Sequence, residues 1–411
     1  MVSGGARAVA RCDALGVPPY SDMAGGLYRG YLTPAYAAAQ AALGGWMEEA
    51  GMAVYLDPAA NLVGRYEGTD PSASALLIGS HLDSVRNAGR YDGPLGIMLG
   101  VESVDALRRA GKRMPFPIEV IAFGDEEGSR FPAAMLTSRA VAGTLEAAAL
   151  DLTDGDGVAL ADAGVDVGTY LSAARTPGST LAYLEAHIEQ GPVLEAQGLA
   201  LGTVTGIAAQ LRYQVTLMGT AGHAGTTSMP LRRDALAGAA EAMLAVEALA
   251  REDSSDLVAT VGRIDALPGA ANVIPGEVRF TLDIRSGDQS RRDRTAENIL
   301  DAITSIADRR GLDFAATLVH DLPASPCDPQ LMDLMDAAIA GTGQPAFRLV
   351  SGAGHDAMVM AALCPTAMLF IRCKDGISHN PAEHVDPADA QAALQVMLGF
   401  IGKLGETFVA A

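Results

Sequence analysis

The sequence predicts a two-domain α/β protein, with a larger domain on a mixed, mostly parallel sheet and a smaller α+β domain inserted into it. Three observations carry this. The 411 residues exceed one ordinary core and suit two domains of roughly 100 to 200 residues each. From residue 75, short continuous apolar runs alternate with helical patterns, as buried parallel strands joined by helices do. From residue 211 the order becomes β-α-β-β-α-β, that of the split, ferredoxin-like unit.

In the larger domain, Ala75 to Gly79 reads as a strand, Gly96 to Ala110 as an amphipathic helix and Ile118 to Phe123 as a second strand. Polar motifs follow both strands: Ser80-His81-Leu82-Asp83 after the first and Gly124-Asp125-Glu126-Glu127 after the second. Chemistry in parallel sheets sits just past the strand carboxyl ends. In the insertion, Arg212 to Met218, Val258 to Ile264, Val278 to Ile284 and Phe314 to Val319 are the strands, with helices over Leu231 to Arg251 and Ser290 to Arg310. The boundaries are set at 1–210 and 326–411 for the larger domain and 211–325 for the insertion. Ala367 to Ile371 is another buried strand, and Asp386-Pro387 is an N-cap with proline in the first turn of a closing helix.

Composition narrows the function. With 29 basic and 49 acidic residues the formal charge is −20, which argues against nucleic acid or an anionic membrane as partner, since both need clustered Lys and Arg. Cys12, Cys327, Cys364 and Cys373 show no CxxC spacing and read as buried spacers in a reducing compartment. Neither a signal-peptide pattern nor an 18-residue apolar run occurs, so a cytoplasmic location is expected.

Among the seven histidines, several stand in polar or glycine-rich surroundings beside carboxylates. His81 and Asp83 form HxD at a strand end, Asp92 follows in Arg90-Tyr91-Asp92-Gly93, and Glu126 and Glu127 end the next strand. His187 lies in EAHIEQGP and His379 in GISHNPAEH. Singly, each has a bland explanation: a loop histidine is usually solvated, and Asp92-Gly93 alone is a turn signal. Together they match what two cations about 3.5 to 4 Å apart require, a bridging carboxylate and further N and O ligands on each side. Asp92 is the bridging candidate, with His81 and His187 on one cation and Glu127 and His379 on the other. Asp83 is placed to accept the hydrogen bond of the second ring nitrogen of His81. Glu126 is left unliganded, as a general base for hydrolysis requires.

These motifs resemble the M20 metallopeptidase-like superfamily, in particular its amidase branch of allantoate amidohydrolases, N-carbamoyl-L-amino acid hydrolases and β-ureidopropionases. The likeness runs in order through GSHLDSVRNAGRYDG, DEEGSRF, EAHIEQGPVLE, AGHAGTTSMP, GAANVIPGEV, LDIRS, SGAGHDA and DGISHNPAEH. It implies a two-metal catalytic domain with a dimerisation domain inserted, ligand roles for His81, Asp92, Glu127, His187 and His379, and the base role for Glu126. A histidine at 187, where peptidase relatives usually carry a carboxylate, implies ureido chemistry: hydrolysis of a carbamoyl C–N bond with loss of ammonia and carbon dioxide. Substrate binding is implied for Gln190, His223, Asn272, Arg285 and the Gly352-Ala353-Gly354-His355 loop, with His223 also stabilising a developing oxyanion, in its own or a partner's site.

Physical reasons stand beside the resemblance. Arg285 offers a planar fork for a carboxylate, Asn272 both donates and accepts, and glycines let main-chain N–H groups approach an anion. The opposing readings are a surface ion pair for Arg285 and a turn cap for Asn272. Expected partners are a small ureido or carbamoyl substrate, two divalent ions (Zn, Mn or Co) and a second copy of the chain. A two-metal peptidase or aminoacylase and a non-catalytic binding protein of the same fold are the rivals. Glycine is expected at both positions of the Ala88-Gly89 pair, and His384 and His320 carry no expected role.

Overall fold

A computed structural model describes residues 2–410 and divides them into two compact units. The first comprises the residues up to 205 with 327–349 and those from 353 onward; the second comprises 206–326 and 350–352.

The sheet of the first unit runs in the order Ala53–Leu56, Leu62–Tyr66, Ile118–Phe123, Ala75–His81, Thr180–Ile188, Thr366–Ile371 and Leu201–Ile207. Its middle is parallel: Ile118–Phe123, Ala75–His81, Thr180–Ile188 and Thr366–Ile371 all run the same way. Both flanks turn antiparallel. Every residue of Ala75–His81, Ile118–Phe123 and Thr366–Ile371 is buried, which is why these segments are continuous apolar runs with no alternation. Helix Pro94–Arg109 packs on Ala75–His81, Ile118–Phe123 and Thr180–Ile188, and beside it lie Gly4–Leu15 and Pro387–Ala410. Pro34–Glu49 packs against the Ala53–Leu56 and Leu62–Tyr66 hairpin. All four cysteines are free and buried.

In the second unit the strands lie in the order Ile264–Leu267, Glu277–Ser286, Ala209–Met218 and Asp313–Leu322, all antiparallel, with Val258–Thr260 also on Glu277–Ser286. Helices Ala235–Glu252 and Gln289–Arg310 close a core of Val215, Leu217, Val278, Phe280, Ile299 and Ile303. Alternation is visible in Glu277–Ser286, whose even-numbered residues from Val278 are buried, as one covered sheet face demands. The expected strand Val258 to Ile264 is broken in two. Thr260 pairs with Asp283 but Ile264 with Phe280, so residues 261–263 oppose only 281 and 282, a bulge that no hydrophobic pattern announces. Within it the Arg263 N–H donates to the Thr281 hydroxyl at 3.1 Å.

Part of the acidity caps helices. Asp234, Asp288 and Asp328 each accept from main-chain N–H groups of the first turn, and Asp386 accepts from the Ala388 N–H at 2.8 Å. Each such cap is worth about 1 kcal/mol. No helix among the described residues is long and apolar enough to cross a membrane.

Candidate metal centre

The parallel strands deliver the polar motifs to one end of the sheet, past their carboxyl ends. His81 ends its strand, Glu126 and Glu127 follow Ile118–Phe123, His187 is the penultimate residue of Thr180–Ile188, and His379 lies eight residues past Ile371. Asp92 arrives from the loop after His81 and stands at the middle. Its Oδ1 is 3.1 Å from His187 Nε2 and 3.7 Å from His81 Nε2, and its Oδ2 is 3.2 Å from His379 Nε2. Glu127 Oε1 lies 3.4 Å from His379 Nε2. Two potential ligand groups therefore share one carboxylate: His81, Asp92 and His187, and Asp92, Glu127 and His379, each with its ligand atoms within 4.8 Å of one another. A further group, His81, Glu126 and Glu127, brings in the Glu126 carboxyl.

Main-chain carbonyls fix two of the rings. His81 Nδ1 is 3.2 Å from the Asp83 carbonyl and His187 Nδ1 is 2.9 Å from the Ile188 carbonyl, which directs both Nε2 atoms at Asp92. This corrects the expectation for Asp83. Its carboxylate is 3.7 Å from His81 Nδ1 and accepts instead from the N–H groups of Glu126 at 3.2 Å and Glu127 at 3.3 Å. Asp83 therefore shapes the glutamate loop, because a two-residue spacing at a strand end puts its own carbonyl closer to the ring than its side chain.

Ionisation reflects the crowding. Burial opposes a charge on Asp92, yet His187, His379 and His81 outweigh it and hold the carboxyl well below the usual range. Asp92 in turn lifts His379 to about 9. Burial, with repulsion from Asp356 and Glu127, raises Glu126 well above the ordinary glutamate value, although His81 offsets part of it. Glu127 is raised to about 7, chiefly by burial. His355 is held well below the ordinary histidine value by burial and by His187.

Several supporting residues escaped sequence reasoning. The Glu383 carboxylate accepts from the Tyr91 N–H at 2.7 Å and the Asp92 N–H at 3.2 Å, and the Ser378 hydroxyl donates to Asp92 Oδ2 at 2.6 Å. The available signal is the run Ser378-His379-Asn380-Pro381-Ala382-Glu383, which sets a serine and a glutamate close to the candidate ligand His379. A Cβ on Gly89 would come within 2.2 Å of the Glu383 carboxyl carbon, so Gly89 has no room for a side chain while its neighbour tolerates Ala88. Gly93 is more constrained still: its φ is +83° and a Cβ would meet the His81 carbonyl at 2.4 Å. Asp125, Gln190 and His379 hold φ between 55° and 57°, sparsely populated for side-chain-bearing residues and typical of functional loops.

The substrate candidates divide between the units. Gln190 Nε2 donates to Asp92 Oδ2 at 2.9 Å, and the His355 ring sits 4.4 Å from that of His187. Gly354 belongs to the first unit and Gly352 to the second. The Gly352 carbonyl accepts from Arg285 Nη1 at 2.6 Å, so at that residue the loop presents an acceptor where N–H groups facing an anion were expected. In the second unit His223 and Asn272 are exposed and neighbouring, since Gly222–His223 pairs with Val273–Ile274 and the Ala224 N–H donates to the Asn272 carbonyl at 2.9 Å. The side edge of the Arg285 guanidinium is held by Asp283, at 2.7 Å from Nε and 3.1 Å from Nη2. His320 and His384 have no part in these groups.

Comparison with known proteins gives the family. Residues 77–403 match the description of peptidase family M20/M25/M40. The chain is 42% identical to the N-carbamoyl-L-amino acid amidohydrolase of Geobacillus stearothermophilus, covering 93% of this chain and 94% of that one. It is 41% identical to the allantoate deiminase of Arabidopsis thaliana, over 96% and 81% of the two chains. A crystal structure of an amidase of the hydantoinase/carbamoylase family from Burkholderia multivorans superposes with a TM-score of 0.89 at 34% identity, covering 97% of each chain. With most of its length matched and its histidines and carboxylates gathered at the carboxyl ends of the parallel strands, the chain belongs to peptidase family M20/M25/M40.

Proposed function

We propose that the chain is a metal-dependent amidohydrolase that cleaves the carbamoyl C–N bond of N-carbamoyl-L-amino acids or of ureido acids such as allantoate, releasing ammonia and carbon dioxide. It is a hydrolase of non-peptide C–N bonds, as are its amidohydrolase and deiminase relatives of about 40% identity over most of the chain. The observation that carries the mechanism is the pair of ligand groups sharing Asp92, with the Glu126 carboxyl beside them.

The residues fit two divalent cations. Asp92 Oδ1 and His187 Nε2 are both buried and, although 3.1 Å apart, neither has a hydrogen-bond partner among the described residues. Buried polar atoms without partners are costly, and a cation between them removes the cost. His81, His187 and Asp92 would hold one ion, and Asp92, Glu127 and His379 the other; all are nitrogen or oxygen donors suited to Zn, Mn or Co. When bound, such ions polarise a carbonyl and make water more acidic near neutral pH. Glu126 then takes the proton of the attacking water and returns it to the departing nitrogen, so that ammonia leaves. The carbamate product loses carbon dioxide.

Arg285, a partly exposed cation whose Nε and Nη2 face Asp283 and whose Nη1 donates to the Gly352 carbonyl, is assigned the substrate carboxylate. Asn272, His223 and Gln190 are assigned its amide and carbonyl groups, Gly354 and His355 are assigned to substrate binding as well, and His223 is assigned the oxyanion. The second unit is taken as the dimerisation domain and the protein as a cytoplasmic homodimer. The test is product release from N-carbamoyl-L-amino acids, allantoate, β-ureidopropionate and dipeptides by the metal-reconstituted protein. Ammonia from a carbamoyl or ureido compound is the expected result; free amino acids from dipeptides alone would move the chain to peptidase chemistry, and silence on all would leave only a binding role.

A further inference from the structure

Alternate residues of Thr180–Ile188 share one side of the strand, and Tyr183, Glu185 and His187 form such a row. Glu185 has no role in the mechanism above, yet it is fully buried and its carboxylate is the meeting point of separate segments. Oε1 accepts from the Ser80 hydroxyl at 2.9 Å. Oε2 accepts from the Ala357 N–H at 2.9 Å and the Tyr183 hydroxyl at 3.2 Å. Ser80 immediately precedes His81. Ala357 is the second residue of the helix Asp356–Met360, whose N-cap is His355. One carboxylate thus ties the strand end bearing His81, the strand bearing His187 and the turn bearing His355, whose rings follow one another at 5.7 Å and 4.4 Å.

Two roles compete for it. Glu185 has a carboxylate oxygen within 4.8 Å of ligand nitrogens of His187 and His355, so it could itself hold a cation. Against that, both its oxygens already accept hydrogen bonds, and turning the doubly accepting Oε2 to an ion would displace a buried donor such as the Ala357 N–H. The bracing role leaves every donor satisfied.

We propose that Glu185 is a positioning residue of the cation site, an unliganded carboxylate that fixes the His81, His187 and His355 segments relative to one another and adds negative charge behind the ligands. This rests on the two-cation reading above. Partners that orient ligands in this way typically change metal affinity by about 10- to 100-fold when removed.

The experiment titrates the chelated full-length protein with Co2+ against a chromophoric chelator, in wild type, Glu185→Gln and Glu185→Ala, with thermal melting of each metal-free form. Both variants are expected to take two ions, with affinity about 10- to 100-fold weaker in Glu185→Ala and a smaller loss in Glu185→Gln. Visible Co2+ bands should shift in both, excess Co2+ should restore turnover, and the metal-free melting temperature of Glu185→Gln should match wild type. Wild-type affinity in both variants would overturn the proposal, and so would tight binding of one ion fewer, which would make Glu185 a ligand. If Glu185→Ala fails to fold, Glu185→Gln decides alone, since it keeps the shape and an acceptor for Ala357. A folded wild type that binds no ion would instead remove the two-cation reading and this inference with it.

Discussion

Asp92 and Arg285 illustrate how differently the two units hold their candidate residues. Asp92 is buried and surrounded: three histidines face it, the Gln190 amide and Ser378 hydroxyl donate to it, and Glu383 holds its main-chain N–H. Arg285 is partly exposed and held on one edge by Asp283 and at Nη1 by the Gly352 carbonyl, while His223 and Asn272 are exposed. The first arrangement is preorganised for ions, whose affinity depends on ligand position to a fraction of an ångström. The second leaves its residues accessible to an organic anion. Substitutions around Asp92 should therefore act on cation content or on the chemical step, and those at Arg285 on substrate affinity.

The largest separation is expected at Glu126. Glu126→Gln should lower kcat by about 100- to 10,000-fold, the usual contribution of a general base, with two cations still bound; loss of an ion as well would make Glu126 a ligand. Gly93→Ala should come next. Its φ of +83° and the 2.4 Å approach to the His81 carbonyl leave no room for a methyl group, so cation affinity should fall by roughly 10- to 100-fold, whereas Ala88→Gly should change it little. Competition titration measures both.

Arg285→Lys would sharpen the contrast from the other side. It replaces a two-pronged donor by a point charge, and KM for a carboxylate-bearing substrate should rise about tenfold, the equivalent of about 1.4 kcal/mol. Cation content and melting temperature should stay at wild-type values; a fall in either would mean the two regions are not separable in this way.

The smallest effect expected is a pH dependence of opposite sign in the chelated and loaded protein. In the metal-free fold His379 is raised from 6.5 to about 9 and Glu127 from 4.5 to about 7. For a raised pKa the contribution to stability is complete below the unfolded value and is lost as pH climbs through the folded one. The chelated protein should therefore melt lower as pH rises from about 4.5 to 9. Cations must displace those protons, so their affinity should rise over the same window and level off near pH 9. Parallel melting profiles with and without metal would contradict this.

The sequence showed the larger sheet clearly because its parallel strands are buried on both faces and each polar motif sits where an apolar run stops. The βαββαβ order of the second unit was equally legible, because one of its sheet faces is covered and alternation survives. What escaped has a physical pattern. The bulge at 261–263 depends on register between distant strands. Glu185 and Glu383 act through main-chain donors on other segments, and a carboxylate's partners are not written in its neighbours. The distance of the Asp83 carboxylate from His81 is set by strand-end geometry and not by the HxD spacing. The substrate residues of the second unit were reached through resemblance, since an exposed His, Asn or Arg has no periodicity to mark it.

The most direct measurement adds Co2+ stepwise to chelated protein and follows ammonia release from an N-carbamoyl-L-amino acid or allantoate, in wild type and Asp92→Asn. A site built around a shared Asp92 should give activity that vanishes on chelation, rises to a plateau at two ions per chain and is abolished in Asp92→Asn. Activity that survives chelation, saturates at one ion or persists in the variant would contradict the account.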